Sequence, residues 1–112
     1  MSESPQVIPE GQKVYVTNDT GLDLTRADAY GERVTLVTGS PDIFNPDRLY
    51  KRLRAMLEGF VPERDYLCVA GSNMVCGLAL AALSSLYPEE NVKLLLFDAR
   101  RGSYIDRVVR LD

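Results

Sequence analysis

Gly39-Ser40 and Gly71-Ser72-Asn73 each close an apolar, β-favouring run, Val34 to Thr38 in one case and Tyr66 to Ala70 in the other. Glycine lets a backbone come close to a ligand, and the first turn of a following helix offers unpaired N–H groups to an anion. Ser72 or Asn73 can cap such a helix and still face what binds there. These residues suit the holding of a phosphate-bearing, nucleotide-like ligand. Asn18, at the end of an earlier strand, adds an amide that can hydrogen-bond a ligand or close an Asx-turn. Neither junction matches a dinucleotide fingerprint or a phosphate-loop motif. Gly-Ser is also ordinary turn chemistry, so the ligand reading and the turn reading both stand.

Catalysis is harder to place. The chain has no histidine, which removes His-based triads, Cys–His dyads, most zinc sites and the side chain best matched to proton transfer at neutral pH. Asp19, Asp23 and Asp28 lack the spacing of an EF-hand loop, and no metal or cofactor is expected. Arg100 and Arg101 fall at the tip of a C-terminal hairpin, with Arg107 and Arg110 on opposite faces of its second strand. Such a tip can meet phosphate, and charged residues there also guard an exposed sheet edge. Cys68 and Cys76 sit in apolar surroundings and read as free thiols of a reducing compartment.

These candidates sit in a chain of 112 residues, enough for one core and too few for a second. Net charge is −3, which argues against broad nucleic-acid or acidic-membrane binding, and no sequence-specific nucleic acid is expected. The balance is uneven: residues 1–47 carry a net −5 and residues 48–112 a net +2. No secretory signal is evident, and the longest apolar run, Met74 to Leu83, is too short to span a membrane. A cytoplasmic location follows as the expectation.

Residues 1–12 read as a loose leader and 13–112 as a single α/β domain. Strands are expected at Lys13–Thr17, Arg33–Thr38, Asp65–Ala70 and Asn91–Phe97, with Tyr104–Leu111 returning antiparallel after the hairpin tip. Leu24 to Tyr30 suits a short helix with Thr25 as cap and Gly31 at its end. The next helix is capped by Asn45, starts at Pro46 and repeats Leu49, Leu53, Met56, Leu57 and Phe60 on one stripe. A further helix, 73–87, is apolar nearly all round, so it must be covered on more than one side. Gly77, Ala81 and Ser85 would allow close approach there, which predicts a homo-oligomer through this helix. The fold class is a small parallel β-sheet with a βαβαβ core flanked by helices, ending in an antiparallel hairpin.

Lys13-Val14-Tyr15-Val16-Thr17-Asn18, Tyr30-Gly31-Glu32 before Val34-Thr35-Leu36, Asp65-Tyr66, Leu94-Leu95-Leu96-Phe97 and Tyr104-Ile105-Asp106-Arg107 carry a family resemblance. Across residues 13–111 the chain resembles a family of short, uncharacterised tailed-bacteriophage proteins. The resemblance implies a viral accessory protein acting in a bacterial cytoplasm, and it assigns no functional residues. The layout is also similar to the core of CARF-type domains, as fold analogy alone.

Three functions fit these residues. One is a non-enzymatic oligomer binding a nucleotide or other phosphate-bearing ligand at Asn18, Gly39, Ser40, Gly71, Ser72 and Asn73. Another is a protein–protein factor that binds a host protein through the basic face of the helix that starts at Pro46 and through the edge strand at residues 104–111. An enzyme, such as a metal-independent phosphodiesterase with Ser72 positioning phosphate, is the least supported, because no acid and base are paired.

Overall fold

A computed structural model describes residues 10–111. Of the leader expected over 1–12, residues 1–9 lie outside the described residues. Gln12 does not behave as loose chain: its amide donates to the Tyr30 carbonyl at 2.6 Å, and its own carbonyl accepts from the Glu32 N–H at 3.2 Å.

The expected α/β architecture is present. In chain order the elements are β1 (Lys13–Asp19), a 3-10 helix (Thr25–Tyr30), β2 (Glu32–Thr38), α1 (Pro46–Leu57), β3 (Tyr66–Cys68), α2 (Asn73–Leu86), β4 (Asn91–Asp98) and β5 (Ser103–Arg110). The sheet runs β2-β1-β3-β4-β5, parallel throughout except for the β4–β5 hairpin. From β1 the chain first steps outward to β2, then reverses to build β3 and β4 on the other side. Right-handed crossovers place connections of opposite direction on opposite faces. Accordingly α1 and α2 pack together on one face, over Tyr15, Leu36, Leu67 and Val92. The 3-10 helix covers the other, over Val14, Val16, Cys68 and Leu95.

The helix boundaries have local causes. The Asn45 side chain accepts the Arg48 N–H, Pro46 fills the first turn, and Leu49, Leu53 and Leu57 are buried, as the stripe predicts. Met56 departs from it, at 38% exposed, because the contact with α2 is narrower than the apolar stripe. Thr25 does not cap the 3-10 helix; its N–H and hydroxyl both go to Asp23, and the cap position is Leu24.

In α2 the buried residues are Val75, Ala79, Ala82 and Leu83, while Met74, Leu78, Leu80 and Leu86 are partly buried against the same core. The line left exposed is Asn73, Gly77, Ala81 and Ser85. The sheet and α1 therefore bury one side of this helix and cover its other apolar residues in part. Among the described residues no helix is long and apolar enough to cross a membrane.

Candidate functional site

The strand order reverses between β1 and β3, and in open α/β sheets the crevice outside the carboxyl ends at such a point is where ligands bind. Asn18 lies at that point and is fully buried. Its Nδ2 donates to the carbonyls of Val37 at 3.2 Å and Gly39 at 2.8 Å, and its Oδ1 accepts the Ser72 N–H at 2.8 Å. One side chain thus ties the turn after β2 to the turn after β3. The two glycine turns do not touch as neighbouring strands; they flank β1 and share Asn18.

Both turn glycines have φ of 76°, the left-handed region that L residues enter at a cost. At Gly71 a Cβ would also fall 2.5–2.6 Å from the carbonyl oxygen, Cβ and Oδ1 of Asn18, so no side chain fits. At Gly39 the space is open. The two junctions differ in a second respect. Gly71-Ser72 leads straight into α2, whereas residues 39–45 form a loop before α1. Ser40 on that loop is exposed.

Thr17 completes the floor of the crevice. The sequence suggests that β3 extends to Ala70, yet regular pairing stops at Cys68. Beyond it the Thr17 hydroxyl substitutes for a backbone partner, donating to the Ala70 carbonyl at 2.6 Å and accepting the Ala70 N–H at 2.8 Å. Peeling the chain away at Ala70 aims Gly71-Ser72 at the crevice. Ser72 occupies the cap position of α2, but its side chain makes no cap bond. The N–H groups of Asn73, Met74 and Val75 consequently head the helix without a side-chain cap. Asn73 is exposed and Ser72 half-buried.

The structure adds a cleft that the sequence did not single out. Leu22, Asp23, Val69, Ala70, Phe97 and Tyr104 line about 270 Å³ beside the same crevice, on the face covered by the 3-10 helix. Its one charged group, Asp23, is held well below the usual carboxylate range by hydrogen bonds from the Thr25 hydroxyl and N–H. Phe97 and Tyr104, paired across the hairpin, meet edge to face with centroids 5.4 Å apart. Burial pushes Tyr104 up to about 12 and Cys68, its hydrogen-bonded neighbour, up to about 11. Both stay neutral at physiological pH. The signal for this cleft is the pairing of an aromatic at the end of β4 with one at the start of β5, which needs the hairpin register to be read.

The other candidates take structural places. Arg101 pairs with Asp98 at 3.6 Å across the hairpin tip, the Asp98 carboxylate accepts the Arg100 N–H, and the Arg26 guanidinium donates to the Gly102 carbonyl. Asp28 pairs with Arg33 at 2.7 Å, and Asp19 accepts the Gly21 N–H in a turn. Among the described residues no group of His, Cys, Asp or Glu has the arrangement of a metal site. Cys68 and Cys76 are free thiols. A larger cleft of about 400 Å³, edged by Glu63, Glu89, Glu90, Lys93 and Arg110, lies at the opposite end of the sheet. Its position at the start of β4 separates it from the strand carboxyl ends.

No curated protein and no solved structure matches the chain. A family model described as Phage Pam3 gp32-like protein does match, over residues 9–111. That span takes in all eight elements and every residue of the crevice. The phage resemblance read from the short strings is thereby established: the chain belongs to the Phage Pam3 gp32-like protein family.

Proposed function

We propose that this phage protein is a binding module that takes a phosphate-bearing, nucleotide-like ligand at the carboxyl ends of β1, β2 and β3. The observation that carries the reading is the amino end of α2, which starts uncapped directly at the switch point, held there by Asn18. Three N–H groups at a helix amino end, with the helix dipole behind them, favour an anion. Gly71 keeps the approach free of side chain, and Ser72 and Asn73 supply a hydroxyl and an amide at its mouth. Asn18, engaged three times by the backbone, positions these groups. Self-association through residues 73–87 belongs to the same proposal in a narrower form. The surface open to it is the Asn73-Gly77-Ala81-Ser85 line.

The test is thermal unfolding with inorganic phosphate and a panel of mono-, di- and cyclic nucleotides. At a hundred times the dissociation constant a ligand adds about 2.7 kcal/mol. Asn73→Asp places a carboxylate in the first turn of α2, which favours the helix while repelling an anion. The variant is expected to fold at least as well and to lose the ligand effect. A panel without any stabilisation overturns the reading. Sedimentation of Ala81→Arg beside the parent protein tests the association, which is abandoned if both sediment alike.

A second reading draws on β5, where residues 106–110 are all exposed and Val108 is 64% open on an edge strand. Such an edge suits strand addition by a host protein. Val108→Lys is expected to abolish that docking and to leave ligand binding intact.

A further inference from the structure

We infer that the cleft between the β1 loop and the hairpin is a nucleobase pocket selective for bases that carry an amino group. The inference rests on the phosphate reading for the rest of the ligand, and it stands on separate residues. Phe97 is a large aromatic left 53% exposed at the cleft, and Leu22, which also lines it, is 50% exposed. Val69 and Ala70 line it too, and Tyr104 braces Phe97 edge to face. This is an apolar slot with an aromatic wall, the arrangement on which any base can stack.

Size and reach limit what enters. A cavity of about 150 Å³ admits benzene, so about 270 Å³ holds a one- or two-ring heterocycle and leaves no room for the sugar and phosphate as well. Ala70 lines the cleft, and Asn73 opens α2 three residues later. Three residues span at most about 11 Å, an upper limit comparable with the length of one nucleoside monophosphate from base to phosphate. A base in the slot therefore places its phosphate within reach of the α2 amino end.

Asp23 sets the selectivity. Thr25 donates twice to its Oδ1, which fixes the carboxylate, and Asp23 is the one charged residue that lines the cleft. An ionised carboxylate only accepts hydrogen bonds. Cytosine, adenine and guanine offer exocyclic N–H donors, whereas uracil presents carbonyl oxygens on either side of its single N–H. The carboxylate attracts the amino bases and repels uracil. CMP and UMP have the same ring size, so their difference isolates this contact.

The experiment is calorimetric titration of AMP, GMP, CMP and UMP, repeated with cytidine and with inorganic phosphate as competitor. UMP is expected to bind about tenfold or more weaker than CMP. Phe97→Ala, at an exposed position, is expected to weaken all four about tenfold. Asp23→Asn, whose amide can turn to donate, is expected to bring CMP and UMP within about threefold. If the four nucleotides bind alike, Phe97→Ala changes nothing and phosphate displaces them, the pocket is overturned and the phosphate reading stands. If cytidine binds as tightly as CMP and phosphate does not compete, the pocket stands and the phosphate reading fails. If no nucleotide or nucleoside binds, the pocket is overturned.

Discussion

The α-carbon of Gly71 lies so close to Asn18 that the smallest side chain would strike its carbonyl oxygen, Cβ and Oδ1 at once. The contact joins the turn that starts α2 to the strand from which the sheet reverses. It also separates two glycines that look equivalent in the sequence. Gly39 and Gly71 share a φ of 76°, but only Gly71 is confined by space as well. Gly39→Ala is expected to cost only the left-handed backbone penalty, about 1–2 kcal/mol. Gly71→Ala adds a backbone clash that no rotamer change relieves, and a loss above about 3 kcal/mol is expected. Urea unfolding of the two variants in parallel measures the difference; equal losses would remove Asn18 from the account.

Thr17 permits a sharper comparison, because valine has its shape without its hydroxyl. Thr17→Val removes the hydroxyl that the half-buried Ala70 N–H donates to, and leaves the Ala70 carbonyl to the Cys76 thiol. Unsatisfied buried groups cost about 1–3 kcal/mol each. A destabilisation of about 1–2 kcal/mol is expected for Val, and clearly less for Thr17→Ser, which keeps the hydroxyl. Hydrogen exchange should show Ala70 losing protection in the valine variant alone.

Much of this arrangement is readable from residue order, and the unreadable part has a common cause. Asn45, Pro46 and the leucines of α1 act through neighbours within a turn or two, so their pattern suffices. The apolar runs of β1, β2 and β4 likewise mark strands, although only β1 is buried along its length. Asn18 stands out by position at a strand end, but its partners Gly39 and Ser72 are 21 and 54 residues away. Nothing local says that one amide spans two turns. β3 ends early for a similar reason: a hydroxyl 53 residues distant takes over its pairing. Phe97 belongs to an almost continuously apolar run, yet it is half open. In α2 the pattern shows that several faces must be covered, without showing which of its leucines α1 and the sheet bury fully.

Asp65 ties the starts of β1 and β3 as Asn18 ties their ends. The carboxylate is fully buried and accepts the N–H groups of Lys13 and Val61, each at 2.9 Å, together with Nε and Nη2 of Arg64. Burial pushes its pKa up, but the bonds from Arg64, Val61 and Lys13 together outweigh burial and hold it below the ordinary value. A carboxyl depressed by folding contributes stability that is present above its unfolded pKa, near 4, and is lost as pH falls through the lower folded value. Asp65→Asn turns an amide donor toward backbone donors, and a loss of about 2–4 kcal/mol is expected at pH 7. The gap between parent and variant should hold from pH 7 to about 5 and narrow below about 4. Unfolding curves across that range check it; a gap that stays constant to pH 2 would mean the charge contributes nothing.

The two cysteines should differ in reactivity although they lie eight residues apart. Burial raises the Cys68 thiol to about 11, and the Tyr104 hydroxyl beside it offsets only part of the effect. At pH 8 about one molecule in a thousand would then carry its thiolate, the form that attacks a disulfide reagent. Its side chain is also wholly inaccessible, beneath the 3-10 helix. Cys76 is half-buried in the first turns of α2, with its sulfur against Thr17 and the Ala70 carbonyl, and is the less enclosed thiol of the two. A native-state titration with an aromatic disulfide at pH 8 should modify Cys76 at least about tenfold faster than Cys68. Cys76→Ser should remove the fast phase, and denaturant should restore a full thiol count for Cys68. A ligand seated at the α2 amino end should slow the Cys76 phase. Equal rates for both thiols in the folded protein would show that the 3-10 helix opens faster than the reagent reacts, and that Cys68 is not sealed beneath it.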